Sequence, residues 1–381
     1  MRIVPRALLC GSTWRAGGTI ADTGFDELRE LCTGPDTHMP LAMGMAGLLM
    51  MELTVHARSV KSSHLVSEYT ELVESLGEPN LTVGLLYPAI YAKYETGEMT
   101  QALRLAQRVI DLADGDATKG NFLTGSPLAF ATAMRASAKC ALGQPKWKDD
   151  FDHALAVARV DPTTWVSIVM FKYVLGITVG ALVADAAALR DTAEALGTAQ
   201  RCSEDFALHM AQLARGITLV STDSADGASG FDLLAEARSA AVGERFILPT
   251  VPIIDLQTAA EKARADDLDS AIEIARHVIA EQFETGAMLY LGAATSVLVE
   301  SLLRRGRDTD VDEAKAAIGT LAAVPTDPGF VLYELPLLRM RALLARAHDD
   351  ERGYRPCADR YFAMAQALEF EGHLAIARGM K

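Results

Sequence analysis

Eight times along the chain the same apolar stripe returns, at positions i, i+3, i+4, i+7, i+10 and i+11. Met99, Ala102, Leu103, Ala106, Val109 and Ile110 match Leu268, Ala271, Ile272, Ala275, Val278 and Ile279 position for position. That spacing marks one face of a 3.6-residue helix. Weaker copies begin at Ser62, Phe151, Ala186, Phe231, Val311 and Tyr354. Successive starts lie roughly 35 to 50 residues apart, the period of stacked helix hairpins. Helices this short are marginal in water on their own, so each must gain its stability by burying the stripe. The expected fold is therefore all-α: a solenoid of about eight tetratricopeptide-like hairpins wound into a right-handed superhelix. Ala102, Ala271 and Ala314 occupy one equivalent crowded position, where a large residue would wedge a hairpin apart.

A more apolar first helix precedes each stripe. These read as Leu81 to Glu95, Ser126 to Leu142, Thr164 to Thr178, Glu204 to Leu219, Ile253 to Ala265, Ala287 to Arg304 and Phe330 to Ala347. Turns are marked by Thr96-Gly97, Gly143-Gln144-Pro145, Asp223 to Gly230, Asp266-Asp267 and Gly306 to Asp310. Pro88 lies inside a first helix and should kink it. The repeat domain is placed at 37–381, behind an N-terminal segment 1–36 that is partly irregular and holds one short helix, Phe25 to Cys32. Glu369 to Met380 reads as a capping helix. At the other end the very apolar Leu41 to Val55 run is expected to be undercapped, leaving a patch that favours self-association or a partner domain.

A chain of 381 residues exceeds the usual single core, but a solenoid escapes that limit because each repeat packs only on its neighbours. The hydrophobic half of the composition excludes a disordered chain. A formal net charge of −14 argues against nucleic acid or an anionic membrane as partner. Arg304, Arg305 and Arg307 are the densest basic cluster and read as a solvated turn. The five cysteines are scattered and form no Cys-x-x-Cys pair, which fits a reducing cytoplasm. Met1 to Cys10 has too short an apolar run for a signal peptide. Thr164 to Ala184 carries a single charge, Lys172, but Gly176 and Gly180 interrupt it; it reads as a buried inner helix and not as a membrane span.

Chemistry is harder to find. No GxxxxGK[ST] phosphate loop, HExxH pair or GxSxG elbow is present. His153 and His277 fall on polar flanks of stripes and read as surface residues. The acidic pairs Asp149-Asp150, Asp266-Asp267 and Asp349-Asp350 sit near starts of second helices, where carboxylates cap free N–H groups. Tyr87, Tyr91, Tyr94, Trp165, Phe171 and Tyr173 concentrate in first helices. They read chiefly as core, with a concave binding face as the alternative. No catalytic, cofactor-binding, metal-ligating or partner-binding residue is assigned.

Four stretches carry a family resemblance: "GEMTQALRLAQRVIDLADGDATKGNFLTGSPLA" from Gly97, "GQPKWKDDFDHALAVAR" from Gly143, "LLRMRALLARA" from Leu337 and "DRYFAMAQALEFEGHLAIA" from Asp359. Together they resemble the C-terminal helical-repeat region of actinobacterial, especially mycobacterial, proteins that join a class III adenylate/guanylate cyclase to an AAA-type ATPase. The resemblance implies a regulatory or interaction module in signal transduction. Neither the cyclase's paired metal-binding aspartates nor the ATPase's phosphate loop is found, so no functional residue carries over. The expectation is a non-catalytic scaffold for a protein partner, such as a cyclase–ATPase or a paralogue. The alternatives are a small-ligand-sensing module, or a helical-repeat fragment of a STAND-type ATPase transcription regulator.

Overall fold

The structure, a computed structural model, describes residues 3–13, 20–122, 125–202, 204–222 and 227–380. All regular elements within them are helices, and those from His38 to Leu368 form eight consecutive hairpins. The second helices are Ser59–Ser75, Met99–Ala113, Trp147–Ala158, Ala186–Cys202, Gly227–Val242, Leu268–Thr285, Asp310–Ala323 and Glu351–Leu368, one for each stripe. The stripes are buried as their spacing requires. Met99, Ala102, Ala106 and Val109 are inaccessible, as are Ala271, Ile272, Ala275 and Val278, while Leu103, Ile110, Leu268 and Ile279 are half-buried.

The first helices are His38–Thr54, the two-piece Pro79–Leu85 and Tyr87–Glu95, Pro127–Ala141, Pro162–Thr178, Asp205–Val220, Thr250–Arg264, Leu291–Arg305 and Val331–Ala347. Pro79, Pro127 and Pro162 open their helices, where the missing N–H costs nothing. Pro88 breaks its helix at Leu86, because its ring opposes the carbonyl one turn back. Seven hairpin turns contain a residue with left-handed φ: Ala57, Gly97, Gly143, Gly180, Asp266, Gly306 and Asp349. In the eighth turn, residues 223–226 lie outside the described residues, and Gly227 to Gly230, expected as turn, open the following helix.

The acidic pairs divide their labour. Asp266 and Asp349 take the left-handed turn, while Asp267 and Asp350 cap the next helix through Ser270 N (3.4 Å) and Gly353 N (3.0 Å). Asp150 differs. It lies within the first turn of its helix and receives a two-pronged contact from Arg135, at 2.8 and 2.9 Å.

The N-terminal segment holds more helix than expected. Besides Phe25–Leu31, residues Ile3–Thr13 form a helix that packs on His38–Thr54, burying Ala7 and Cys10. The Leu41 to Val55 run is consequently covered: Leu49, Met51 and Leu53 have no exposed surface, and Leu48 and Met50 are half-buried. Apolar exposure moves outward one layer, to Val4 and Leu8. The segment Pro162–Thr178 is an inner helix, mostly buried, with Lys172 paired to Asp152 at 2.9 Å. No described helix is long and apolar enough to cross a membrane.

The stack returns on itself. Leu248 N donates to Thr54 O (2.8 Å), Met288 N to Glu95 O (2.9 Å) and His373 N to Gly180 O (3.1 Å). Side chains repeat the offset: the Tyr94 and Tyr290 hydroxyls meet at 3.5 Å, 196 residues apart, and His373 Nε2 meets Val179 O at 2.9 Å, 194 apart. The C-terminal helix Glu371–Arg378 thus docks against the turn that follows Pro162–Thr178. About five hairpins complete one circuit, and the later hairpins lie against the earlier ones.

Candidate functional site

The first circuit encloses a cavity of about 830 Å³. Its walls are first helices, each contributing one face. From His38–Thr54 come Met43, Ala46, Gly47, Met50 and Thr54, spaced i, i+3, i+4, i+7, i+11. This explains why that helix is apolar all round: Leu49 and Leu53 pack into the core while the Met43–Met50 face lines the cavity. Gly84, Tyr87, Pro88 and Tyr91 follow the same rule on the kinked helix, as do Thr163, Ser167, Met170 and Phe171 on the next but one. Phe206 and Met210 complete the wall, and the 243–247 loop closes it. That loop is fixed by the Leu248–Thr54 hydrogen bond, so the return of the chain shapes the site.

Four methionines, Met43, Met50, Met170 and Met210, come from three helices. Their flexible thioethers make this part of the wall adaptable. The rings are fixed more firmly. Tyr87 and Tyr91 stack at 5.9 Å with planes 4° apart, and Phe130 tilts onto Tyr87 at 5.0 Å.

Beneath the cavity lies a buried polar cluster. Tyr91, Tyr94, Glu95 and Tyr290 surround a void too small for more than a water molecule. Burial pushes the Glu95 carboxyl up to about 7, against a hydrogen bond from Tyr91 that favours the anion. Burial, and then the neighbouring Glu95 charge, hold the Tyr87 and Tyr91 hydroxyls well above the ordinary phenol range. These are neutral phenols at any physiological pH.

The mouth is acidic. Asp161, Glu204, Asp205 and Glu244 line it with one guanidinium, Arg245. Asp161 accepts from the Thr164 hydroxyl, and Glu204 from that of Thr163 at 2.7 Å. None of the four carboxylates has a cationic partner among the described residues, and Arg245 has no anionic one.

Of the six aromatics singled out in the sequence, Tyr87, Tyr91 and Phe171 line the cavity, and Tyr94 lies just below it. Tyr173 instead donates to Asp191 at 2.5 Å, and Trp165 lies under the Arg159 guanidinium. The methionine face of His38–Thr54 has helical spacing, but the continuous apolar run around it hides that period in the sequence. Phe246 and Arg245, on a loop, give no periodic signal.

Other chemical candidates resolve into structure. Arg304 and Arg305 bind Asp266 and Asp310, while Arg305 and Arg307 share Asp269; the basic cluster is neutralised. Lys93, buried, donates to Ser63 at 2.7 Å and to Glu98 at 2.8 Å. Lys93 thus ties Ser63 on one helix to Glu98 at the start of the next, and the serine contact reads as an anchor between helices. Burial would raise the Glu98 pKa, but hydrogen bonds from Lys93, Ser63 and Thr96 outweigh it and lower it. His153 and His277 are exposed, and the described residues hold no group of three metal-ligating side chains. Compared with known proteins, the chain matches no protein-family model and no curated protein.

Proposed function

We propose that this chain is a non-catalytic regulatory module that senses a small ligand in the cavity of its first circuit. One observation carries the reading: a single cavity of about 830 Å³ is lined by inward faces of successive first helices. Small-molecule sites typically measure about 300–1,000 Å³ and combine apolar walls with a few polar groups. The walls belong to at least four hairpins, so an occupant would touch several of them at once. Binding would then tighten the whole circuit, the kind of change a partner domain can read. The resemblance to a cyclase–ATPase regulatory region supports such a partner.

A neutral, apolar fluorophore, N-phenyl-1-naphthylamine, tests the reading. The expected result is saturable fluorescence enhancement with one site per chain. Met50→Trp, which pushes a larger, rigid side chain into the cavity from a half-buried wall position, should weaken it. No enhancement, or enhancement that Met50→Trp leaves intact, overturns the reading.

A second reading, protein scaffolding through the N-terminal face, is favoured by Val4 and Leu8, one helical turn apart and 61% and 56% exposed. Leu8→Glu should then abolish concentration-dependent association in light scattering. A monomer at all concentrations in the unsubstituted chain would remove this reading.

A further inference from the structure

The mouth and walls of the cavity specify different parts of an occupant. Inside, the lining offers sulfur, ring faces and aliphatic carbon, with Thr54 and Ser167 already donating to backbone carbonyls of their own helices. Such walls accept an apolar, polarisable body and offer little to a sugar or a free nucleotide. At the rim, four carboxylates face one guanidinium, and none of the four is neutralised by an ion pair among the described residues. Elsewhere in the molecule buried or half-buried carboxylates do find cations, as Asp150, Asp310 and Glu300 show. Asp161, Glu204 and Asp205 sit at helix N-termini, whose partial positive charge offsets only part of theirs. The rim remains a concentration of carboxylates without ion-pair partners set over a low-dielectric recess, which focuses its field on whatever enters. The stacked Tyr87–Tyr91 pair adds electron-rich ring area to one wall.

We infer that the occupant is an organic cation with an apolar, aromatic or aliphatic body: the body lies among the methionines and rings while the positive group stays at the Glu204–Asp205–Glu244 rim. An anion of the same shape is disfavoured by the same rim, and a neutral molecule gains the walls alone. The inference rests on the cavity being a ligand site, and its test separates the two claims.

Tetraphenylphosphonium and tetraphenylborate are near-isosteric ions of opposite charge, and N-phenyl-1-naphthylamine is a neutral reference. Calorimetric titration of the purified chain should show tetraphenylphosphonium binding at least about tenfold more tightly than tetraphenylborate, with the preference shrinking as salt is raised. The triple variant Glu204→Gln/Asp205→Asn/Glu244→Gln should lose most of that preference and keep its affinity for the neutral dye. Because these side chains are exposed, the variant is expected to fold. A control triple, Asp149→Asn/Glu273→Gln/Asp359→Asn, removes equal charge from exposed sites outside the cavity lining and should leave the preference intact. If the neutral dye binds but the cation shows no advantage, the inference fails while the cavity reading stands. A preference that both triples weaken equally also sinks it, since net charge alone would account for that. If none of the three probes binds, the cavity reading itself fails.

Discussion

Ala271 has no exposed surface, on a helix that packs against the first helix of its own hairpin. Ala102 and Ala314 are equally inaccessible at the equivalent positions. Replacing Ala271 by glutamate both overpacks the contact and buries an unpaired charge, so we expect destabilisation of about 2 kcal/mol or more in urea unfolding. An unchanged midpoint would mean that the stripe is misread. Glu95 makes a second prediction, with a pH signature. Its carboxyl is raised from 4.5 to about 7 because the folded chain buries it. The proton therefore favours the fold: this contribution is complete below about pH 4.5 and is lost as the pH climbs through 7. The difference amounts to about 3 kcal/mol. Glu95→Gln should gain stability relative to the unsubstituted chain between pH 5 and pH 8. Parallel pH profiles for the two proteins would contradict the assignment. His373 runs the other way. Burial, then the Arg339 charge, lower it to about 4, so its contribution is present above about 6.5 and lost on acidification toward 4. Since a carbonyl can only accept, His373 Nε2 carries the proton to Val179 O and Nδ1 accepts from Tyr361.

Among the elements, the hairpin turns do two jobs, and two glycines show the difference. Gly143 has φ 62°, and a Cβ there would stand 2.7 Å from Val331 and 2.9 Å from Leu368, both in the last hairpin. Gly306 has φ 67° but faces open space. Alanine at Gly306 should cost only the left-handed backbone strain, about 1–2 kcal/mol. Gly143→Ala should cost that strain plus overpacking at the seam, a further 1–3 kcal/mol or so. Equal losses in chemical denaturation would remove Gly143 from the contact between circuits. Second helices were legible in the sequence because only one face is buried, so Met99–Ala113 alternates dry and wet residues with a clear period. The first helices around the cavity, such as His38–Thr54 and Pro162–Thr178, bury one face in the core and turn another to the cavity. That double burial erases the period and hides Met43, Ala46 and Met50 within an apolar run. The Ile3–Thr13 helix was missed for another reason: its buried contacts, Ala7 and Cys10, are too few and too small to stand out.

For the whole molecule, the decisive feature is one that no local pattern encodes. Tyr94 and Tyr290, or Val179 and His373, lie in unrelated stretches of sequence, and only the accumulated rotation of intervening hairpins brings them together. The repeat count and the burial of each stripe follow from spacing; the closure of the circuit, and with it the cavity, follows from the angle between hairpins, which spacing does not specify. Closure also explains why the 243–247 loop can serve as a wall, and why residues as far apart in sequence as Met43 and Phe246 line one cavity. Zero-length carbodiimide coupling of the native chain tests closure directly. Lys148 Nζ lies 2.6 Å from Glu371 Oε1, 223 residues away, across the seam between circuits. Lys172 and Asp152, at 2.9 Å, form a contact between neighbouring hairpins that survives in an open stack as well. The account predicts that peptide mapping recovers both amide links from the monomeric fraction. Recovery of the Lys172–Asp152 link without the Lys148–Glu371 link would contradict it, because the hairpins would then be stacked but the circuit open.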